Sequence, residues 1–210
     1  MSKDRSAKLL HQNPSGSSVV HPANVLTAIR FLLIPFLVWN IIGAQWLMAA
    51  TTIALAIVTD VYDGKLARHY NSASPLGGFF DHGTDALLVS SSAWALAQTG
   101  LIHPWLWPFI GLAFAQYAWD SKILLGRILR TSQIGKYNVF GYYVLACTAI
   151  GSQALAVLFL TPIQHRPLLE QGLHWLDRGV ALAAWLLLAS TILSMAERLI
   201  HLLRTDPEEH

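Results

Sequence analysis

Six apolar runs joined by short polar links limit this chain more than any other feature: residues 25–42, 46–58, 86–97, 105–118, 139–160 and 179–193. A bilayer-spanning helix needs ~20 predominantly apolar residues. Several of the runs fall short alone but reach that length once the adjoining acidic segments are counted. Only 12% of the 210 residues are charged, about half the roughly 25% of an average soluble domain. A soluble helical core of this composition has too few polar residues to cover its surface. The expectation is therefore all-α: an integral membrane bundle of six transmembrane helices. Residues 1–22 form a short N-terminal cytoplasmic arm, 23–204 the membrane domain and 205–210 a solvated tail.

Lys and Arg orient such a bundle, because cytoplasmic loops carry them in excess. With six spans and a cytoplasmic N-terminus, only Arg166 and Arg178 of the fourteen fall outside. No signal peptide is visible, since the first 22 residues are polar and the run after them is too long for an h-region. A lone Cys147 in an apolar run excludes an intramolecular disulfide and a cysteine metal site, and reads as a small core residue. No nucleic-acid partner is expected.

Punctuation divides the runs into helices. Asn24 is placed to cap the first after Pro22, and Pro35 predicts a kink within it. The second runs from Trp46 to Leu66 or slightly beyond. HYNSASP is polar turn chemistry ending in a helix breaker, and a third helix follows over 76–98. The fourth ends near Leu129 in a basic cluster, and the fifth spans 136–160. Pro162 and Pro167 suggest a longer outside loop over 161–178, leaving 179–203 as the sixth helix.

Against this apolar background the acids stand out. Acid within a membrane is expensive unless something cationic shares the site. Asp60 and Asp63 are three residues apart, and Asp81 and Asp85 four apart, so each pair shares a helix face. Two such helices facing each other aim four hard oxygen ligands at one point, which suits Mg²⁺ or Mn²⁺ better than a soft metal. All six acids in or beside the apolar runs, with Asp120 and Glu197 as the other two, are expected to face the bundle interior.

These residues form the pattern Asp60-x2-Asp63-Gly64-x2-Ala67-Arg68, eight residues, Gly77-x3-Asp81-x3-Asp85. It resembles, at every position, the signature of the CDP-alcohol phosphotransferases, and the six-helix plan is similar to that family's. NVLTAIRFLLIPFLV resembles the first helix of the phosphatidylglycerophosphate synthases. The resemblance implies displacement of CMP from a CDP-linked donor by a hydroxyl, in a homodimeric enzyme of phospholipid synthesis. Attack on a pyrophosphate requires charge neutralisation, which two divalent ions about 4 Å apart provide. Asp60, Asp63 and Asp81, with Asp85, would hold these ions. Gly64 and Gly77 clear room for the nucleotide, Ala67 keeps that face shallow and Arg68 can pair with phosphate, so Asp60, Gly64, Ala67, Arg68 and Gly77 are the candidate nucleotide site.

The resemblance marks Asp85 as the general base for the acceptor hydroxyl. His82 lies three residues before it, and the run DGKLARHYNSASPLGGFFDHGTD is similar to the choline/ethanolamine phosphotransferases, where a His stands between the third and fourth acids. His82 is either an accessory base or orienter of Asp85, or a helix histidine without a catalytic role. Lys122, Arg127, Arg130 and Lys136 have two readings as well, topology charges or a phosphate pocket. On the second, Arg127, Arg130 and Lys136 bind a charged acceptor. QIGKYN resembles the Gly-Lys segment of the phosphatidylglycerophosphate synthases, whereas AWDSKILLGRILR lacks their Arg-Glu pair.

The preferred function is transfer of a phosphatidyl group from CDP-diacylglycerol to a small polar alcohol, in a bacterial inner membrane with the site on the cytoplasmic side. The alternative is transfer of a phosphoaminoalcohol from a CDP-aminoalcohol to diacylglycerol. An inactive membrane-binding relative would have lost one of the four Asp. A metal transporter would carry its acids near mid-bilayer, whereas these sit toward one end.

Overall fold

Three of the helices among the described residues begin on a proline, in the first turn, where a missing N–H costs no intrahelical hydrogen bond. The computed structural model describes residues 22–69, 75–119, 133–160 and 166–204. Among them are six α-helices and no strand: α1 Pro22–Ile42, α2 Trp46–His69, α3 Pro75–Gln98, α4 Leu106–Trp119, α5 Gln133–Phe159 and α6 Pro167–Arg204. Pro22, Pro75 and Pro167 open α1, α3 and α6. Asn24 thus lies inside α1 rather than capping it, and α1 continues through Pro35.

Two tight turns set the hairpins on one side. After α1, the Gly43 N–H donates to the Trp39 carbonyl at 2.9 Å and the Gln45 N–H to that of Asn40 at 2.8 Å. Ala44, not a glycine, takes the left-handed φ of 52° there. After α3, Gly100 supplies a φ of 79°. Its N–H meets the Ala97 carbonyl at 3.1 Å and that of Leu101 meets Leu96 at 3.3 Å, so a glycine terminates the helix and redirects the chain.

The helix α6 departs from the sequence expectation. It begins at Pro167, twelve residues before Gly179, so most of the anticipated outside loop is helical. Pro167 is the first residue of that helix rather than a breaker, and the N–H groups of Leu169 and Glu170 both donate to the Arg166 carbonyl at 3.0 Å. Glu170 in the first turn complements the helix dipole.

Helix α1 packs on α2 and α3, α3 on α4 and α5, and α6 on α4 and α5. Ile34, Leu37 and Ile41 of α1, Ile53 of α2, Leu88 and Leu96 of α3, Ile150 of α5 and Leu188 of α6 belong to one buried cluster. Large apolar side chains also point outward, among them Leu32, Trp39, Phe140, Leu182 and Leu186, a pattern suited to lipid. Helices α1, α5 and α6 are long and apolar enough to cross a membrane, and α2 carries a shorter apolar stretch, Trp46–Tyr62. The expected N-terminal arm and tail, and Asp120, Lys122, Arg127 and Arg130, lie outside the described residues.

Candidate active site

Arg30 sits where α1 meets α2 and α3, and its side chain is 0% exposed. Burying a guanidinium in an apolar helix is expensive unless carboxylates come with it. Here one terminal nitrogen reaches Asp60 Oδ1 of α2 at 2.9 Å. The other reaches Asp81 Oδ1 at 2.9 Å and Asp85 Oδ1 at 2.7 Å, both on α3. The four-residue spacing on α3 makes this possible, because it stacks the two carboxylates on one face. Asp85 is the most enclosed of the three, its side chain 16% exposed against 39% for Asp60 and 34% for Asp81. Tyr143 of α5 donates its hydroxyl to Asp85 Oδ1 at 2.9 Å.

Two of these groups were not singled out in the sequence. Arg30 counted only as a charge near a membrane face. An Arg in the midst of NVLTAIRFLLIPFLV was itself the signal, since intramembrane cations pair with acids. The acids therefore do have a cation in their midst. Tyr143 left no comparable trace, because neither Tyr142 nor Tyr143 in this apolar run stands in any spacing relation to the acids.

The remaining residues of the expected site distribute as follows. A ligand atom of His82 lies within 4.8 Å of carboxylate oxygens of Asp81 and Asp85. The His82 ring is exposed and meets Tyr117 of α4 edge-on, centroids 6.1 Å apart. Asp63, Gly64, Ala67 and Arg68 lie on α2 and Gly77 on α3. What surrounds their side-chain positions is outside the described set. Glu197 of α6 is exposed, contrary to the expectation that it faces inward. Its neighbour Arg198 turns to the interior instead, and successive helical positions point about 100° apart.

Beside Asp85 and His82 opens a cavity of about 240 Å³ between α3, α4, α5 and α6. Val89, Ile110, Phe114 and Val139 give it apolar walls, while Lys136, Asn138, Tyr142, Thr191, Ser194 and Arg198 give it polar ones. The polar groups are partly fixed. Ser190 donates to Asn138 Oδ1 at 2.6 Å, the Tyr142 hydroxyl pairs with that of Thr191, and the Arg198 guanidinium lies 5.9 Å from the Tyr117 ring centroid. Gly135 makes room for Arg198: a Cβ added there would come within 2.5 Å of a guanidinium nitrogen. Of the expected acceptor residues, the structure brings Lys136 to this cavity, and it adds Arg198.

The donor set suits a hard divalent cation. Oxygens of three carboxylates already surround one positive group, and Asp81, His82 and Asp85 present ligand atoms close together. A helical chain with outward-facing apolar residues, gathering acids from two helices beside a partly polar cavity, has the form of a membrane enzyme. The chain belongs to the CDP-alcohol phosphatidyltransferase family, whose model matches residues 20–196.

Relatives within the family differ in what they are named for. Over 173 residues the chain is 28% identical to the CDP-diacylglycerol--glycerol-3-phosphate 3-phosphatidyltransferase of Cereibacter sphaeroides, covering 77% of this chain and 74% of that protein. It is 41% identical over 73 residues to choline/ethanolaminephosphotransferase 1 of Arabidopsis thaliana, 31% of this chain and 19% of that one. It is 36% identical over 84 residues to a probable cardiolipin synthase (CMP-forming) of Drosophila melanogaster, 40% of this chain and 26% of that one. The chain thus spans about a fifth to a quarter of the length of the last two relatives.

Proposed function

We propose that this protein transfers a phosphatidyl group from CDP-diacylglycerol to a small polar alcohol that carries a negative charge, releasing CMP. The observation that carries this reading is the cavity beside Asp85, which offers Lys136 and Arg198 to an anionic acceptor. Diacylglycerol has no charge for either to meet. The relative covered over most of its own length is named for a glycerol-phosphate acceptor, which also supports the reading.

Asp60, Asp63, Asp81 and Asp85 would hold the divalent ions, two Mg²⁺ or Mn²⁺, which when bound supply charge neutralisation at the donor's pyrophosphate. Asp85 accepts the proton of the acceptor hydroxyl, with His82 as accessory base or orienter. The acceptor oxygen then bonds to the phosphorus that bears the diacylglycerol. The bond from that phosphorus to the oxygen bridging to CMP breaks, and CMP leaves with its electron pair. Gly64, Ala67 and Gly77 leave space for the nucleotide, and Arg68 pairs with its phosphate. Arg127, Arg130, Lys136 and Arg198 neutralise the acceptor. The positive-inside pattern supports a site on the cytoplasmic face; the membrane is proposed to be a bacterial inner membrane and, on the family resemblance, the working unit a homodimer.

The second reading, phosphoaminoalcohol transfer from a CDP-aminoalcohol to diacylglycerol, draws on the NSASPLGGFFDHG run and the Arabidopsis relative. Purified protein supplied with CDP-diacylglycerol and glycerol phosphate or another polar alcohol, or with CDP-choline and diacylglycerol, separates the two. The proposal expects product only from the first donor. It also expects Lys136→Ala or Arg198→Ala to raise the acceptor's apparent KM about tenfold, the loss of one charge-assisted hydrogen bond, with donor KM little changed. Product from CDP-choline and diacylglycerol alone would overturn it in favour of the second reading.

A further inference from the structure

Among the described residues, both hydrogen bonds that reach Asp85 from other helices fall on the same oxygen. Arg30 of α1 donates to Oδ1 at 2.7 Å and Tyr143 of α5 donates to Oδ1 at 2.9 Å. The carboxylate meanwhile lines the cavity. We infer that Tyr143 is a positioning residue for the transfer step. Together with Arg30 it holds Oδ1 of Asp85, leaving the second carboxylate oxygen to face the cation and to receive the acceptor's proton. The inference rests on the proposed role of Asp85 as base.

The final torsion of an Asp side chain is broad and roughly two-fold. An Asp held by one donor can therefore trade its two oxygens, and a base that does so spends part of its time with the wrong lone pair toward the substrate. Donors from two separate helices on one oxygen remove that freedom. Proton transfer needs the base within ~2.6–3.2 Å of the proton's heavy atom, so orientation is worth rate. Arg30 alone cannot supply it, because the nitrogen that meets Asp85 also meets Asp81. Tyr143 is the donor that Asp85 does not share with another acid in these contacts.

A bland account is available: a tyrosine in an apolar helix needs some partner for its hydroxyl, and Asp85 happens to be near. The adjacent Tyr142 shows that α5 can satisfy a hydroxyl with a neutral group, pairing with Thr191 of α6. Tyr143 is instead spent on a carboxylate, and removing its hydroxyl deletes one contact without altering the ring's packing. The two accounts separate cleanly in the variant Tyr143→Phe.

Turnover is measured for the wild type, Tyr143→Phe, Asp85→Asn and the double variant, with the CDP-donor and acceptor pair the wild type uses. The expected result is a kcat about tenfold lower in Tyr143→Phe, the loss of one hydrogen bond to a charged group, with both KM values within about twofold. In the Asp85→Asn background the same change should cost less than about twofold, because residues acting through one another are not additive. An equal loss in both backgrounds, or no loss in the first, would overturn the inference. Infrared spectroscopy keeps the question separate from substrate identity. The carboxylate band that Asp85→Asn removes should shift in Tyr143→Phe whether or not any tested pair turns over. An unmoved band would also overturn the inference, and a moved band in a protein inactive with every pair would fault the proposed function instead.

Discussion

Two carboxylate sites in this bundle solve the same problem differently. On α6, Asp177 accepts from Ser152 Oγ at 3.0 Å and from Gln153 Nε2, which lies 3.1 Å from each of its oxygens. Its donors are neutral and come from consecutive residues of the facing helix α5. Between α1, α2 and α3, three carboxylates share one guanidinium, and Asp85 alone of the three accepts from the Tyr143 hydroxyl in these contacts. Counted formally, three negative charges against the one positive charge of Arg30 leave an excess of two. A lone acid with neutral donors is a structural contact and asks for nothing more. An acidic excess inside apolar helices does ask, and a divalent cation answers it with the oxygen ligands it prefers. The difference between the sites is therefore the residual charge, not the burial of the acid.

That comparison can be broken at Arg30, where the largest effect is expected. Arg30→Gln removes the only guanidinium seen to bridge the three acids among the described residues, and taking one partner from a buried pair typically costs about 3–5 kcal/mol. The melting temperature of the metal-free protein should fall accordingly. Added Mn²⁺ should recover more of it in Arg30→Gln than in the wild type, because a ligand that binds only the folded state stabilises by mass action. Equal Mn²⁺ effects in the two proteins would mean that Arg30 and the cation do not serve the same charge.

The next effect is kinetic. Asp85→Asn should lower turnover about 10²-fold or more, as loss of a general base does, while leaving CDP-donor affinity within about tenfold. Asp63→Ala should instead weaken metal and donor binding together, which equilibrium binding of a radiolabelled CDP-lipid with and without Mn²⁺ would resolve. Near-normal turnover in Asp85→Asn would move the base role to His82.

The smallest effect belongs to the other carboxylate. Asp177→Asn should cost about 1 kcal/mol or less, the value of a neutral hydrogen-bond rearrangement, and its melting temperature should respond to Mn²⁺ as the wild type does. A selective loss of the Mn²⁺ response would erase the distinction between the two sites.

What was legible in the sequence follows from the kind of signal each feature leaves. Asp81 and Asp85 announced themselves by helical spacing, and one nitrogen of Arg30 does touch both. Helices were readable wherever an apolar run was long. The start of α6 was not, because Pro167 looks like a breaker until Glu170 three residues on is read with it as a helix start. Arg30 was hidden by a rule that counts Arg by its place along the chain. Only the packing of α1 on α2 and α3 shows which way that side chain turns. The cavity is further out of reach. It combines Lys136 and Arg198, 62 positions apart on α5 and α6, and no local pattern links them.

The central claim, that this carboxylate centre works with a divalent cation to exchange CMP on a CDP-linked lipid, has one direct measurement. Purified protein is incubated with radiolabelled CMP, unlabelled CDP-diacylglycerol and an acceptor alcohol such as glycerol phosphate, so that the transfer can run in reverse, with Mn²⁺ or Mg²⁺, and the lipid fraction is counted before and after excess EDTA. The account predicts label in CDP-diacylglycerol with metal, none after chelation, and recovery when metal is restored. Exchange that continues undiminished in EDTA would contradict it, as would the absence of exchange with every CDP-linked lipid supplied.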